Sequence, residues 1–263
     1  MPHVMTGSQR LQFEDTGGDR PAILFSHAFG MTGAMFAPQL AEFRGTHRCI
    51  TWEARAHGAS STHAPFDYWD CARDALALLD HLGVERAFFV GTSQGGFISL
   101  RAALLAPERV RAIAAIGSSA TAETPEKRAA YTQMHDVFMA SGAAGPPAEL
   151  LGAFAQLCLG SHRDAESWKP VWRAWPPEQF GLAFRALIHR DDIEGRLREI
   201  SAPTLVLHGA ADASLAPPLG QAIAAGVANS EGFVLVENGA HYVNMTDPEP
   251  VNAALTTLLR KYG

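Results

Sequence analysis

Two stretches of this chain, residues 20–120 and 200–263, alternate short continuous apolar runs with helical patterns, each separated from the next by Gly, Pro or Asp. A run such as Pro21-Ala22-Ile23-Leu24-Phe25-Ser26-His27 has no polar alternation, so both of its faces must be buried. Strands of that kind belong to parallel sheets covered by helices on both sides. Residues 47–52, 86–90, 110–116, 204–208 and 232–236 read the same way. Between them Ala72, Ala75, Leu76, Leu79 and Leu82 form one apolar face of a helix that Gly83 ends as a C-cap. Further helices are expected at 94–106, where Pro107 prevents continuation, around 218–226, and from 247 to about 261, with Asp247 as N-cap and Pro248 at the first helical position.

Residues 121–198 read differently. Strand signals vanish, and Met134, Phe138, Phe154, Trp168, Trp172, Trp175, Phe180 and Phe184 accumulate among helical and proline-rich stretches. The division expected is an α/β core of residues 1–120 and 199–263 carrying an all-helical cap at 121–198. Most of those aromatic residues should form a small core, with a few lining a cleft where insert meets sheet; Met134, Phe138, Trp172 and Trp175 are the candidates.

Composition removes several classes. The 263 residues are 47% apolar, enough for a sizeable core, and the net charge of −6 comes without any Lys/Arg run, so nucleic acid is not an expected partner. Cys49, Cys71 and Cys158 are widely spaced with no CxxC pair and read as reduced, structural thiols. No His/Asp/Cys set has ligand spacing, so neither metal nor cofactor is expected. The Asp191-Asp192 pair beside Arg190 and Arg196 reads as an ion-pair cluster or a helix N-cap. The first residues lack a basic leader and an apolar core, and no run reaches membrane-spanning length, so a cytoplasmic location without membrane contact is expected; the oligomeric state stays open.

The chemistry-bearing segment follows the strand at 86–90 and reads Gly91-Thr92-Ser93-Gln94-Gly95-Gly96 as a helix opens. This is G-x-S-x-G between strand and helix, where a serine on a sharp turn presents its hydroxyl above the sheet. A serine hydroxyl needs a base, and the base needs a carboxylate to fix its tautomer. Asp212 lies just past the strand at 204–208 and His241 just past the strand at 232–236. Carboxyl ends of parallel strands border one crevice, so Ser93, Asp212 and His241 are expected to meet there. His27 reads mainly as loop-shaping, His57 as structural, and the remaining histidines, His208 among them, have no assigned role.

With the order Ser, acid, His, the chain resembles the α/β-hydrolase superfamily from about residue 9 to 261. Within it, Arg55-Ala56-His57-Gly58-Ala59-Ser60, Leu78-Leu79-Asp80-His81-Leu82-Gly83 and Ala106-Pro107-Glu108-Arg109-Val110 look most like the esterase, enol-lactonase and perhydrolase group. The resemblance implies an oxyanion hole made by the backbone N–H groups of Phe29 and Gln94, with Phe29 on the loop His27-Ala28-Phe29-Gly30. It also implies a cofactor-free serine hydrolase acting on a small or medium carboxylic ester or lactone, with His27 and Tyr242 near the substrate. Carbon–carbon bond hydrolysis, perhydrolysis and a non-catalytic receptor on the same scaffold remain open, Arg173 and Arg185 being the candidate cap arginines for the first. Two departures stand out: Ala28 replaces the usual glycine, and Glu53 and Ala56 replace the usual aspartate and glycine.

Overall fold

A computed structural model describes residues 2–162 and 165–263. The strands are β1 (His3–Thr6), β2 (Gln9–Asp15), β3 (Ala22–Ser26), β4 (Arg48–Trp52), β5 (Ala87–Thr92), β6 (Val110–Ile116), β7 (Thr204–Gly209) and β8 (Ser230–Val236). The helices are α1 (Ala37–Phe43), α2 (Tyr68–His81), α3 (Gln94–Leu105), α4 (Pro125–Ala140), α5 (Ala148–Leu159), α6 (Ala165–Arg173), α7 (Pro177–Ile188), α8 (Pro217–Gly226), α9 (Val243–Thr246) and α10 (Pro248–Tyr262).

All eight strands form one sheet in the order β1-β2-β4-β3-β5-β6-β7-β8. The pairings β1·β2 and β2·β4 are antiparallel, and every later pairing is parallel. This is an α/β hydrolase fold with a helical insertion, α4–α7, between β6 and β7. Among the described residues no helix is long and apolar enough to cross a membrane.

Strands β3, β5, β6 and β7 are buried almost throughout because both faces are covered. Successive side chains feed opposite layers: Ile23 and Phe25 join Phe88 and Val90 on one face, while Leu24 and Phe89 pack with α2 and α3 on the other. The insertion has a third cluster, centred on Phe180 and Phe184, which includes Phe29 from the core.

The sequence reading needs three corrections here. The β1–β2 hairpin was absent from it, although Leu11 and Phe13 alternate with polar neighbours as a half-buried strand requires. Strand β8 is a partly exposed edge strand, with Leu235 47% exposed, because it has a neighbour on one side only. Asp247 occupies the N-cap position of α10, but its side chain makes no capping bond and instead accepts from Thr246 Oγ1.

The order reverses beside β3: β4 lies on one side of it and β5 on the other. At that switch the ends of β3 and β5 open a crevice. The turn after β5 packs against β3 so closely that a Cβ on Gly95 would sit 1.9 Å from Ser26 O. Backbone cannot yield there as a flexible side chain would. Gly95→Ala is therefore expected to cost about 3 kcal/mol or more. Gly45→Ala, at a position with nothing within 4 Å, should stay within about 0.5 kcal/mol of the parent. Denaturant unfolding of both variants checks the contrast.

Candidate active site

Ser93 stands between β5 and α3 with φ 54° and ψ −114°, a left-handed backbone that disfavours a side chain. Its amide donates to Ile116 O at 2.8 Å, and its carbonyl accepts from Ser118 Oγ at 2.9 Å and Gly96 N at 2.9 Å. Those bonds hold the strained residue, and the turn lifts Oγ out of the sheet. A side chain at Gly96 would meet Ser118 Oγ at 2.3 Å, so this approach also requires glycine.

His241 follows β8 and Asp212 follows β7, on neighbouring parallel strands. His241 Nε2 lies 2.9 Å from Ser93 Oγ, and His241 Nδ1 lies 2.7 Å from Asp212 Oδ2. A carboxylate can only accept, so Nδ1 carries the proton and the Nε2 lone pair faces the hydroxyl. Asp212 Oδ1 accepts from the amides of Ser214 and Leu215, each at 2.8 Å. Burial alone would raise the Asp212 pKa; electrostatic attraction to His241 and hydrogen bonds from His208, His241 and Leu215 outweigh it and hold the carboxyl well below its usual range. Gly117, beyond β6, packs against this pair, and a Cβ there would lie 2.7 Å from His241 O.

His208 has a place that the sequence did not signal. Its Nε2 donates to Leu215 O at 2.7 Å and stands 3.1 Å from Asp212 Oδ2, with the side chain fully buried. Two imidazoles therefore hold one carboxylate oxygen. The only clue in the chain was position, since His208 lies in the strand that ends just before Asp212.

The loop His27-Ala28-Phe29-Gly30 is pinned from several sides. His27 Nδ1 donates to Ala28 O at 2.8 Å, while Nε2 accepts from Ala54 N at 3.0 Å. Both ring nitrogens bond to backbone, Nδ1 lies 3.5 Å from Gln94 Nε2, and His27 lines neither of the two cavities beside Ser93. Tyr242 Oη donates to Phe29 O at 2.7 Å and Trp172 Nε1 to Gly30 O at 2.8 Å. Neither the Phe29 nor the Gln94 amide donates to a protein acceptor among the described residues. The Gln94 side chain accepts from Tyr68 Oη at 3.2 Å and reaches His57 Nε2 at 3.4 Å.

Two small adjoining cavities lie between this rim and the insertion. Ser93, His241, Met134 and Tyr242 line the first; Phe138, Trp172 and Trp175 line the second; Phe29 borders both. The two tryptophans also tie the insertion down, since Trp175 Nε1 donates to Ala56 O at 2.8 Å. Cys158 reaches the first cavity, but burial pushes its thiol up to about 12, so it is not a competing thiolate.

The two departures from the family pattern behave differently. Ala28 is fully buried without a positive φ, so its methyl packs at no backbone cost. Ala56 has φ 64° and carries left-handed strain that a glycine would not. Asp191 pairs with Arg101 at 2.6 Å rather than with Arg190 or Arg196, and Asp192 caps the amide of Glu194.

Burial lowers His27 to about 4 and holds His57 well below the usual histidine value. Both are neutral in the fold and gain a proton on unfolding below about pH 6.5. Their contribution is intact above that value and is lost as pH falls toward the folded pKa. Unfolding free energy is expected to drop between pH 6.5 and 5 by up to about 1.4 kcal/mol per pH unit per histidine. Denaturant titrations at pH 7, 6 and 5 measure the slope, which His27→Gln should reduce.

The chain is similar to known proteins along nearly its whole length. Over 253 residues the chain is 27% identical to 3-oxoadipate enol-lactonase 2 of Acinetobacter baylyi, covering 93% of this chain and 91% of that one. A solved hydrolase from Pseudomonas aeruginosa superposes with TM-score 0.86 at 27% identity, covering 98% of this chain and 97% of the other. A thermophilic esterase from Thermogutta terrifontis superposes with TM-score 0.88 at 25% identity, covering 100% and 99%. Residues 21–248 match the family model described as the alpha/beta hydrolase fold, and the chain belongs to that family.

Proposed function

We propose that this protein is a cofactor-free serine hydrolase that cleaves a small or medium carboxylic ester or lactone through an acyl-enzyme. What carries the reading is the unbroken hydrogen-bonded line from Ser93 Oγ through His241 to Asp212, with distances of 2.9 and 2.7 Å, at the floor of an apolar cavity. Its resemblance to an enol-lactonase and to an esterase supports the substrate class.

In this mechanism His241 Nε2 takes the Ser93 proton as Oγ attacks the carbonyl carbon, and Asp212 stabilises the resulting imidazolium. The negative charge that develops on the carbonyl oxygen is received by the free amides of Phe29 and Gln94, the second of which also opens α3, where the helix dipole favours an anion. His241 then returns the proton to the departing alkoxide. Water, deprotonated by the same imidazole, releases the acid and restores Ser93. The helices of residues 121–198 act as a cap over a core of residues 1–120 and 199–263. Their apolar lining, Phe138 and Trp172 included, receives the hydrocarbon part of the substrate. Arg173 and Arg185, the candidate cap arginines for carbon–carbon hydrolysis, are exposed and line neither cavity.

Ser93→Ala is expected to lower kcat/KM on 4-nitrophenyl acetate by roughly 10⁴–10⁶-fold, and Asp212→Asn by about 10⁴-fold. A fluorophosphonate probe should label the parent protein at Ser93. A folded parent that the probe leaves unmodified would be a ligand receptor rather than a hydrolase.

A further inference from the structure

The cavity above Ser93 is apolar along Met134, Phe154 and Leu157, but one part of its wall is a carboxylate. Glu123 lines it with a side chain only 4% exposed, and Oε1 accepts from Arg190 Nη1 at 2.5 Å. Arg190 is itself buried, with Nε donating to Thr121 O at 2.9 Å and its guanidinium 4.5 Å from the Phe97 ring centre. The second oxygen, Oε2, is ion-paired with Lys127 Nζ at 3.6 Å, a distance beyond a hydrogen bond, and that ammonium donates to Ser214 O. No nearer donor reaches Oε2 among the described residues. An ionised carboxylate offers about four lone-pair sites, so Glu123 keeps acceptor capacity beyond the bond from Arg190. A buried ion pair is weak evidence of stabilisation, because apolar residues of similar volume often replace one at no loss. Nor does Glu123 touch Ser93, His241 or Asp212.

Building on the ester-hydrolase reading, we infer that Glu123 selects substrates that carry a hydrogen-bond donor, a hydroxyl or an amide N–H, away from the scissile carbonyl. The donor binds Oε2 while the hydrocarbon part occupies the adjoining aromatic cavity. Such a site favours the donor-bearing molecule over its methyl isostere, which would leave the remaining acceptor capacity of Glu123 unmet.

The test compares near-isosteric esters that differ at one end. One pair, 4-nitrophenyl 6-hydroxyhexanoate and 4-nitrophenyl heptanoate, varies the acyl chain; the other, 5-hydroxypentyl acetate and hexyl acetate, varies the alcohol. The parent protein should prefer the hydroxyl member of one pair by roughly tenfold or more in kcat/KM. Glu123→Gln, which keeps shape and one acceptor, should cut that ratio severalfold. The double variant Glu123→Met/Arg190→Met, which removes the pair without stranding a charge, should bring it to about one. Equal rates within both pairs would overturn the role of Glu123 and leave the hydrolase reading standing. No turnover of any ester would overturn both.

Discussion

The close approach of the turn at Ser93 to strand β3 is the contact on which the rest of the site depends. Gly95 lies against Ser26 O and Gly96 against Ser118, with no room for a side chain at either. That contact sets where the serine hydroxyl emerges, where α3 begins and how near the Phe29 loop stands. Left-handed backbone at a serine costs on the order of 1–3 kcal/mol. The bonds from Ser93 N to Ile116 O and from Ser118 Oγ to Ser93 O show how neighbouring strand ends hold it. The same logic reaches His241. Asn244, at the start of the helix that follows it, accepts from Thr92 Oγ1 at 3.0 Å and donates to Met35 O at 3.3 Å. The segment bearing the imidazole is thereby fastened to the residue just before Ser93.

Four buried histidines sit within this region, and their surroundings divide the work. His27 and His57 are desolvated and kept neutral, shaping the loop beside Phe29 through backbone contacts. His208 and His241 instead converge on Asp212, whose other oxygen is held by two amides. A carboxylate with four donors is stationary, so it can hold one imidazole in a single tautomer and orientation. The aromatic contacts of Phe29, with Trp175 at 5.2 Å and Phe184 at 5.6 Å between ring centres, extend that fixity from the core into the insertion.

Much of the sheet is legible in the chain because β3, β5, β6 and β7 are buried on both faces, and continuous apolar runs such as Ile23-Leu24-Phe25 admit little else. The meeting of Ser93, Asp212 and His241 follows from the same reading, since each stands at the carboxyl end of a parallel strand. What escapes depends on tertiary neighbours. The β1–β2 hairpin is stabilised by pairing with β4, which local pattern does not reveal. The place of His208 follows from how the segment after β7 doubles back, bringing Leu215 O and Asp212 to its ring. The polar stretch of cavity wall at Glu123 forms only when the start of the insertion meets Arg190 near its end.

The two indole bonds, Trp172 to Gly30 and Trp175 to Ala56, have a bearing on how the cavities beneath the insertion are reached. Swinging the helical layer away as one piece would break both, exchanging each for a bond to water at a net cost of about 0.5–1.5 kcal/mol. A roof stapled at two points is costlier to lift whole than to loosen at one edge, since a smaller excursion can leave one staple in place.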